Sequence, residues 1–169
     1  MLSRPIQDWG RAWYSETDSP PDASATVMTS LYDLARENPS DDPVTKPLRY
    51  YEIYDRVLRE EGLVPLNILE IGVHKGHSTK VLAKCFPNAQ IVGLDVALQP
   101  LDFSRHANVV YLQCDQTDAE ALRAICERHF PRGIDLVIED ASHIGQFSSL
   151  TFHSVFPYLN SRGVYIVED

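Results

Sequence analysis

The chain has 169 residues, 44% hydrophobic and 23% charged, which is the size and balance of one globular domain with a buried core rather than of a disordered chain. Its formal net charge of -9 argues against nonspecific attraction to phosphate backbones, so a small molecule is the expected partner and nucleic acid is not. No apolar run approaches the roughly 20 residues that span a bilayer, so no membrane association is expected. MLSRPIQDWGRAW has no apolar block of the about 7 to 15 residues that a signal peptide carries, so the expected compartment is the cytoplasm.

In chain order, residues 15 to 45 hold most of the Ser, Asp and Pro, in SETDSPPDAS and ENPSDDP, which are turn and linker signals. ATVMTSLYDLAREN between them is expected to form one short helix. Residues 1 to 45 thus read as an irregular, partly helical leader or lid, and 46 to 169 as the core domain. PLRYYEIYDRVLREEG places Tyr50, Ile53, Tyr54 and Val57 at helical spacing, with proline at the start and glycine at the stop. LNILEIGV follows as a short apolar strand without helical period, of the kind buried on both faces.

GHSTKVLAKCF reads as a helix, AQIVGLDV and NVVYLQCD as further strands, and TDAEALRAICERHF as a helix with Leu122, Ile125, Cys126 and His129 on one side. IDLVIED is a fourth strand. GQFSSLTFHSVFPYL is a helix with Phe152, Val155, Phe156 and Leu159 on one face, and RGVYIVED is a fifth strand after a turn at Ser161-Arg162-Gly163. Cys85, Cys114 and Cys126 show no C-x-x-C pairing and read as buried free thiols. Strands separated by helices predict a Rossmann-like, doubly wound, mostly parallel sheet of the α/β class. Ligands of such sheets bind beyond the carboxyl ends of the strands, where the strand order reverses. That rule brings Gly72, Asp95, Asp115, Asp140 and Asp169 to one rim.

The first strand runs into Glu70-Ile-Gly72-Val-His-Lys-Gly76, with Ser78 and Thr79 opening the next helix. Glycine lets the backbone approach a ligand, and a helix N-terminus offers unpaired N–H groups to a carboxylate. A dinucleotide site would ask for G-x-G-x-x-G, but Glu70 and Lys75 stand where its outer glycines belong, which disfavours a nicotinamide or flavin oxidoreductase. Singly, each residue has a plain structural alternative: Glu70 a strand-end acid, Gly72 and Gly76 a tight turn, Asp95 and Asp115 helix caps. His74 and His77 lack a third partner for a metal site and read as loop histidines.

The E-x-G-x-x-x-G form, followed by Asp95 and Asp115 after the next two strands, resembles class I S-adenosylmethionine-dependent methyltransferases from about Leu66 to Asp169. The resemblance implies that the first loop, with Glu70, Gly72, Gly76 and Ser78, takes the methionine end of the cofactor. Asp95 would accept the ribose hydroxyls and Asp115 the adenine amino group. Glu139-Asp140-Ala-Ser-His143 and the closing Glu168-Asp169 resemble a narrower group, the metal-dependent O-methyltransferases acting on sugar hydroxyls of macrolide antibiotics. By that resemblance Asp140, Glu168 and Asp169 would hold magnesium, and His143 would be the general base.

Carboxylates suit magnesium, which keeps open positions for substrate hydroxyls. Coordination would lower the pKa of a hydroxyl, and a histidine could take its proton near neutral pH. Glu139 is expected to point away, because neighbouring side chains on a strand face opposite sides. The family usually continues with two more strands, so this core corresponds to five of seven, and pairing with a second copy could cover the edge of the fifth. The expectation is an O-methyltransferase acting on a hydroxylated natural product or sugar, with a noncatalytic cofactor-binding or partner-binding remnant of the same fold as the alternative.

Overall fold

The computed structural model describes residues 29–40 and 46–168; most of the leader, and Asp169, lie outside the described residues. The elements in order are α1 (Leu31–Glu37), α2 (Leu48–Glu60), β1 (Asn67–Ile71), α3 (His77–Cys85), β2 (Gln90–Asp95), β3 (Val109–Gln113), α4 (Ala119–His129), β4 (Ile134–Glu139), α5 (Gly145–Val155), a 3-10 turn (Phe156–Tyr158) and β5 (Leu159–Val167). The described strands form one five-stranded sheet in the order β3-β2-β1-β4-β5, parallel at every pairing. The order reverses between β1 and β4, which is where the expected rim lies.

Strand alternation divides the core into two layers. Ile68, Ile91, Leu136 and Ile138 pack with buried residues of α1, α2 and α3. Leu69, Ile71, Val92 and Val137 pack with those of α4 and α5 on the opposite face. The first helix of the leader is part of this core, since Leu31 and Ala35 are buried in the first layer. Asp55 of α2 holds it there: its carboxylate accepts from the Ser30 hydroxyl at 2.7 Å and from the backbone N–H groups of Leu31 and Tyr32 at 2.9 and 3.0 Å. These satisfy donors that a helix start leaves open.

Three local expectations are corrected. The inner face of α2 carries Tyr51, Tyr54 and Leu58 rather than the expected Tyr50, Ile53, Tyr54 and Val57, and Ile53 is 41% exposed. Tyrosine buries a large ring if its hydroxyl finds a partner, and both do: Tyr51 faces His77 Nδ1 at 3.4 Å and Tyr54 donates to Glu168. At the other end, α5 stops at Val155 because Pro157 cannot continue the hydrogen-bond ladder. Phe156 is consequently 49% exposed and Leu159 opens the next strand. Finally, Ser161-Arg162-Gly163 is not a turn before β5 but lies within it. The pairing shifts from Ile134 with Leu159 to Leu136 with Val164, so the intervening residues bulge.

Candidate functional site

The site begins where β1 and β4 end side by side. Asp140 donates its N–H to the Ile71 carbonyl and Gly72 donates to the Leu94 carbonyl, both at 2.8 Å. Gly72 has φ +94°, and a Cβ there would lie 1.9 Å from the Asp140 carbonyl oxygen. The backbone that glycine admits at this position is therefore the loop after β4, a role for which the sequence held no sign. Gly76 adopts the left-handed conformation at the start of α3.

Around this junction runs a two-part cleft. One part, about 390 Å³, is walled by apolar Ile71, Leu94, Val96 and Phe147 and carries Asp95 and Asp115 on its lining. The other, about 310 Å³, is lined by Ser78, Asp140 and His143 together with Lys46 and by Ser40 from the leader. Gly72, His74, Asp140 and Ala141 border both parts. Pockets of this size accommodate small organic ligands.

Asp95 accepts from the N–H groups of His74 at 2.7 Å and Ala97 at 3.0 Å, which ties the β1–α3 loop to the end of β2. Asp115 accepts from the Thr117 N–H and hydroxyl, both at 2.8 Å, and these bonds hold its carboxyl below the usual carboxylate range. Glu70 and Gly76 do not line the cleft. Glu70 is fully buried beneath it, accepting from the Thr79 hydroxyl at 2.5 Å. Burial pushes its carboxyl up, against the opposing pull of Lys46. The Ser78 hydroxyl is buried beside it and, with Thr79, opposes that rise by hydrogen bonding.

The ends of β4 and β5 meet at Lys46, which stands just before α2. Lys46 Nζ lies 3.2 Å from Asp140 Oδ2 and in direct contact with Glu168 Oε1, and its side chain is only 4% exposed. It also donates to the Tyr54 hydroxyl at 3.0 Å, and that hydroxyl donates to Glu168 Oε1. Burial by itself would lower the lysine, but Glu70, Glu168 and Asp140 hold the ammonium above its ordinary value. Burial pushes the Glu168 carboxyl up, and Lys46 pulls it back only in part. His143 is in the left-handed region at φ 55°. Its Nδ1 faces the Glu168 carbonyl at 3.3 Å and its Nε2 lies 3.5 Å from Asp140 Oδ1. Both partners are acceptors, so each ring nitrogen is placed to donate, and a neutral ring with its proton on Nδ1 would leave Nε2 to take another.

Asp140, His143 and Glu168 are thus brought together, while Asp169 lies outside the described residues. Among the described residues no group of three or more His, Cys, Asp or Glu side chains that could hold a metal is present. The chemistry of the pair nevertheless fits magnesium: two hard carboxylates converge on one positive centre. Glu139 does turn to the other face, where Gln116 donates to it at 3.1 Å. Gln116, Lys46 and Tyr54 were missed in the sequence. Gln116 Oε1 also accepts from the Ser142 N–H at 3.0 Å, so one buried amide clamps the loop between Asp140 and His143. Only long-range contacts reveal these three; a lysine before a helix or a glutamine after a strand carries no local signal.

The model of the FtsJ-like methyltransferase family matches residues 49–166. The chain is 36% identical over 125 residues to the mycinamicin VI 2''-O-methyltransferase of Micromonospora griseorubida, covering 69% of this chain and 30% of that protein. It is 32% identical over 130 residues to the 8-demethyl-8-(2-methoxy-alpha-L-rhamnosyl)-tetracenomycin-C 3'-O-methyltransferase of Streptomyces olivaceus, covering 70% of this chain and 30% of the relative. Among solved structures, the MycE methyltransferase from the mycinamycin biosynthetic pathway, in complex with Mg, SAH and mycinamycin VI, superposes with a TM-score of 0.70. That pair is 31% identical and covers 85% of this chain and 38% of that one. The chain spans 30% of the length of each of these two curated relatives.

Proposed function

The chain belongs to the FtsJ-like methyltransferase family, and from that premise we propose that it is the S-adenosylmethionine-binding core of a magnesium-assisted O-methyltransferase acting on a sugar hydroxyl of a natural product. The observation that carries this reading is that Asp140 and His143 line a cleft whose other part bears Asp95 and Asp115, with the buried Glu168 joined to them through Lys46 and its own carbonyl. The relatives' names support the acceptor class, since they describe O-methyltransferases of mycinamicin and of a rhamnosyl tetracenomycin.

In this reading Asp95 accepts the ribose hydroxyls and Asp115 the adenine amino group, against the apolar wall at Val96 and Phe147. Ser78 and the N–H groups opening α3, set by the turn at Gly72 and Gly76, receive the amino-acid end, and buried Glu70 supplies negative charge beneath it. Asp140 and Glu168, with Asp169, hold the metal. When bound, S-adenosylmethionine supplies an electrophilic methyl group, and magnesium supplies charge that orients and acidifies a hydroxyl. His143 keeps its Nδ1 proton on the Glu168 carbonyl and takes the acceptor's proton at Nε2. Residues 46 to 169 form the binding core, and the leader, through Ser40, contributes to its mouth.

Calorimetry with S-adenosylmethionine, followed by methyl transfer to a panel of glycosides with magnesium, tests the reading. His143→Ala should leave cofactor affinity unchanged and lower turnover by about 10²- to 10⁴-fold. Failure to bind the cofactor would sink the proposal. Binding without transfer to any glycoside favours the noncatalytic alternative.

A further inference from the structure

We propose that Lys46 is a tethered cation that occupies the Asp140 and Glu168 carboxylates in the absence of metal, and that a divalent cation enters by displacing it. This inference rests on the reading of those carboxylates as metal ligands and concerns what they do before the metal arrives. A lysine ammonium has three protons. Here it donates to Tyr54 Oη at 3.0 Å and to Glu168 Oε1, and it is ion-paired with Asp140 Oδ2 at 3.2 Å. The Tyr54 ring lies 5.1 Å from Nζ, and the side chain is almost wholly buried. The ammonium is thus held by two hydrogen bonds and a second carboxylate, much as a bound cation would be.

Both cations cannot occupy this place. Magnesium sits about 2.1 Å from its oxygen ligands, so an ion sharing the Asp140 or Glu168 oxygens would lie within roughly 5 Å of Nζ. Lys46 and Glu168 are almost wholly buried, so the repulsion on that side is poorly screened, while Asp140 faces the cleft. Lysine can yield, because its charge rides on a flexible four-carbon stem. Glu168 need not move with it, since the Tyr54 hydroxyl donates to the same Oε1. Tyr54 is therefore a positioning residue that keeps one carboxylate in place while its counter-charge is exchanged. The lysine also explains how the buried Glu168 carboxylate can sit beside Asp140 before a metal binds, where an unpaired buried charge would be strongly destabilising.

The test uses the full chain with magnesium alone. Acetylation by an amine-reactive reagent, read by mass spectrometry, should rise at Lys46 by about tenfold or more on saturation with magnesium, while Lys84 stays constant as an internal reference. Lys46→Met should bind magnesium about tenfold or more tightly than the unsubstituted chain by calorimetry. It should also melt at a lower temperature without metal, with the gap closing at saturating magnesium. Lys46→Arg, which keeps a cation on the two carboxylates, should bind magnesium no more tightly than the unsubstituted chain. If magnesium binds but Lys46 labelling does not change, or if Lys46→Met binds no more tightly, the displacement is wrong while the metal reading stands. If neither protein binds magnesium, the metal reading fails and the displacement with it.

Discussion

Gly72 and the Asp140 carbonyl are in such close approach that the two strand ends carrying the site cannot be separated without moving both. A Cβ on Gly72 would lie 1.9 Å from that oxygen, and the residue's φ of +94° already excludes ordinary side chains. Gly72→Ala should therefore lower stability by about 3 kcal/mol or more, combining overpacking with backbone strain. It should also weaken S-adenosylmethionine binding by shifting the Asp140 loop. Urea denaturation and calorimetry check this, and a change below about 0.5 kcal/mol would show that the approach is not needed.

Asp95 joins the β1–α3 loop to the proposed ribose position. Asp95→Asn should raise the dissociation constant for S-adenosylmethionine by about 10- to 100-fold, the usual range for losing charge-assisted hydrogen bonds. Because its bonds to His74 and Ala97 also hold the loop, the melting temperature should fall slightly. An unchanged affinity would remove Asp95 from the binding site.

Glu70 predicts a pH dependence of definite sign. Burial raises its folded-state value above the unfolded one, which is about 4.3. Its contribution is therefore present below that unfolded value and is lost as pH rises through the raised folded value. Glu70→Gln, which cannot ionise, should melt less steeply with rising pH than the unsubstituted chain. The difference between their melting temperatures should move in the variant's favour from pH 4 upward. Parallel profiles would mean that Glu70 does not titrate differently in the two states.

Gln116 uses both ends of its amide, donating to Glu139 and Thr151 and accepting from Ser142. Gln116→Met keeps most of the volume and removes the bonds, so it should cost about 1 to 3 kcal/mol for the buried groups left unsatisfied. Loosening the loop that presents His143 should lower kcat more than it raises the KM for the cofactor. A loss of stability with unchanged kcat would confine Gln116 to the fold.

The order of strands and helices was legible because periodicity and turn chemistry are local. LNILEIGV, AQIVGLDV and IDLVIED read as buried strands, and their spacing by helices implied parallel pairing, as found. The alternation of Glu139 and Asp140 was legible for the same reason. The exposed side of α2 was not, because hydropathy ranks Ile53 above Tyr51 while the folded chain offers the Tyr51 hydroxyl a partner in His77.

The sequence by itself determined the parallel α/β core, the strand-end acids of the rim and the resemblance to methyltransferases, since each is written in spacing along the chain. Only the tertiary structure decided that Gly72 makes room for the Asp140 carbonyl, that Glu70 lies under the cleft and that Gln116 clamps the loop beyond β4. It also decided that Lys46 stands between Asp140 and Glu168, 122 residues from the latter. Those relationships join distant residues through packing and charge compensation, and no local pattern encodes which buried acid a given lysine will neutralise.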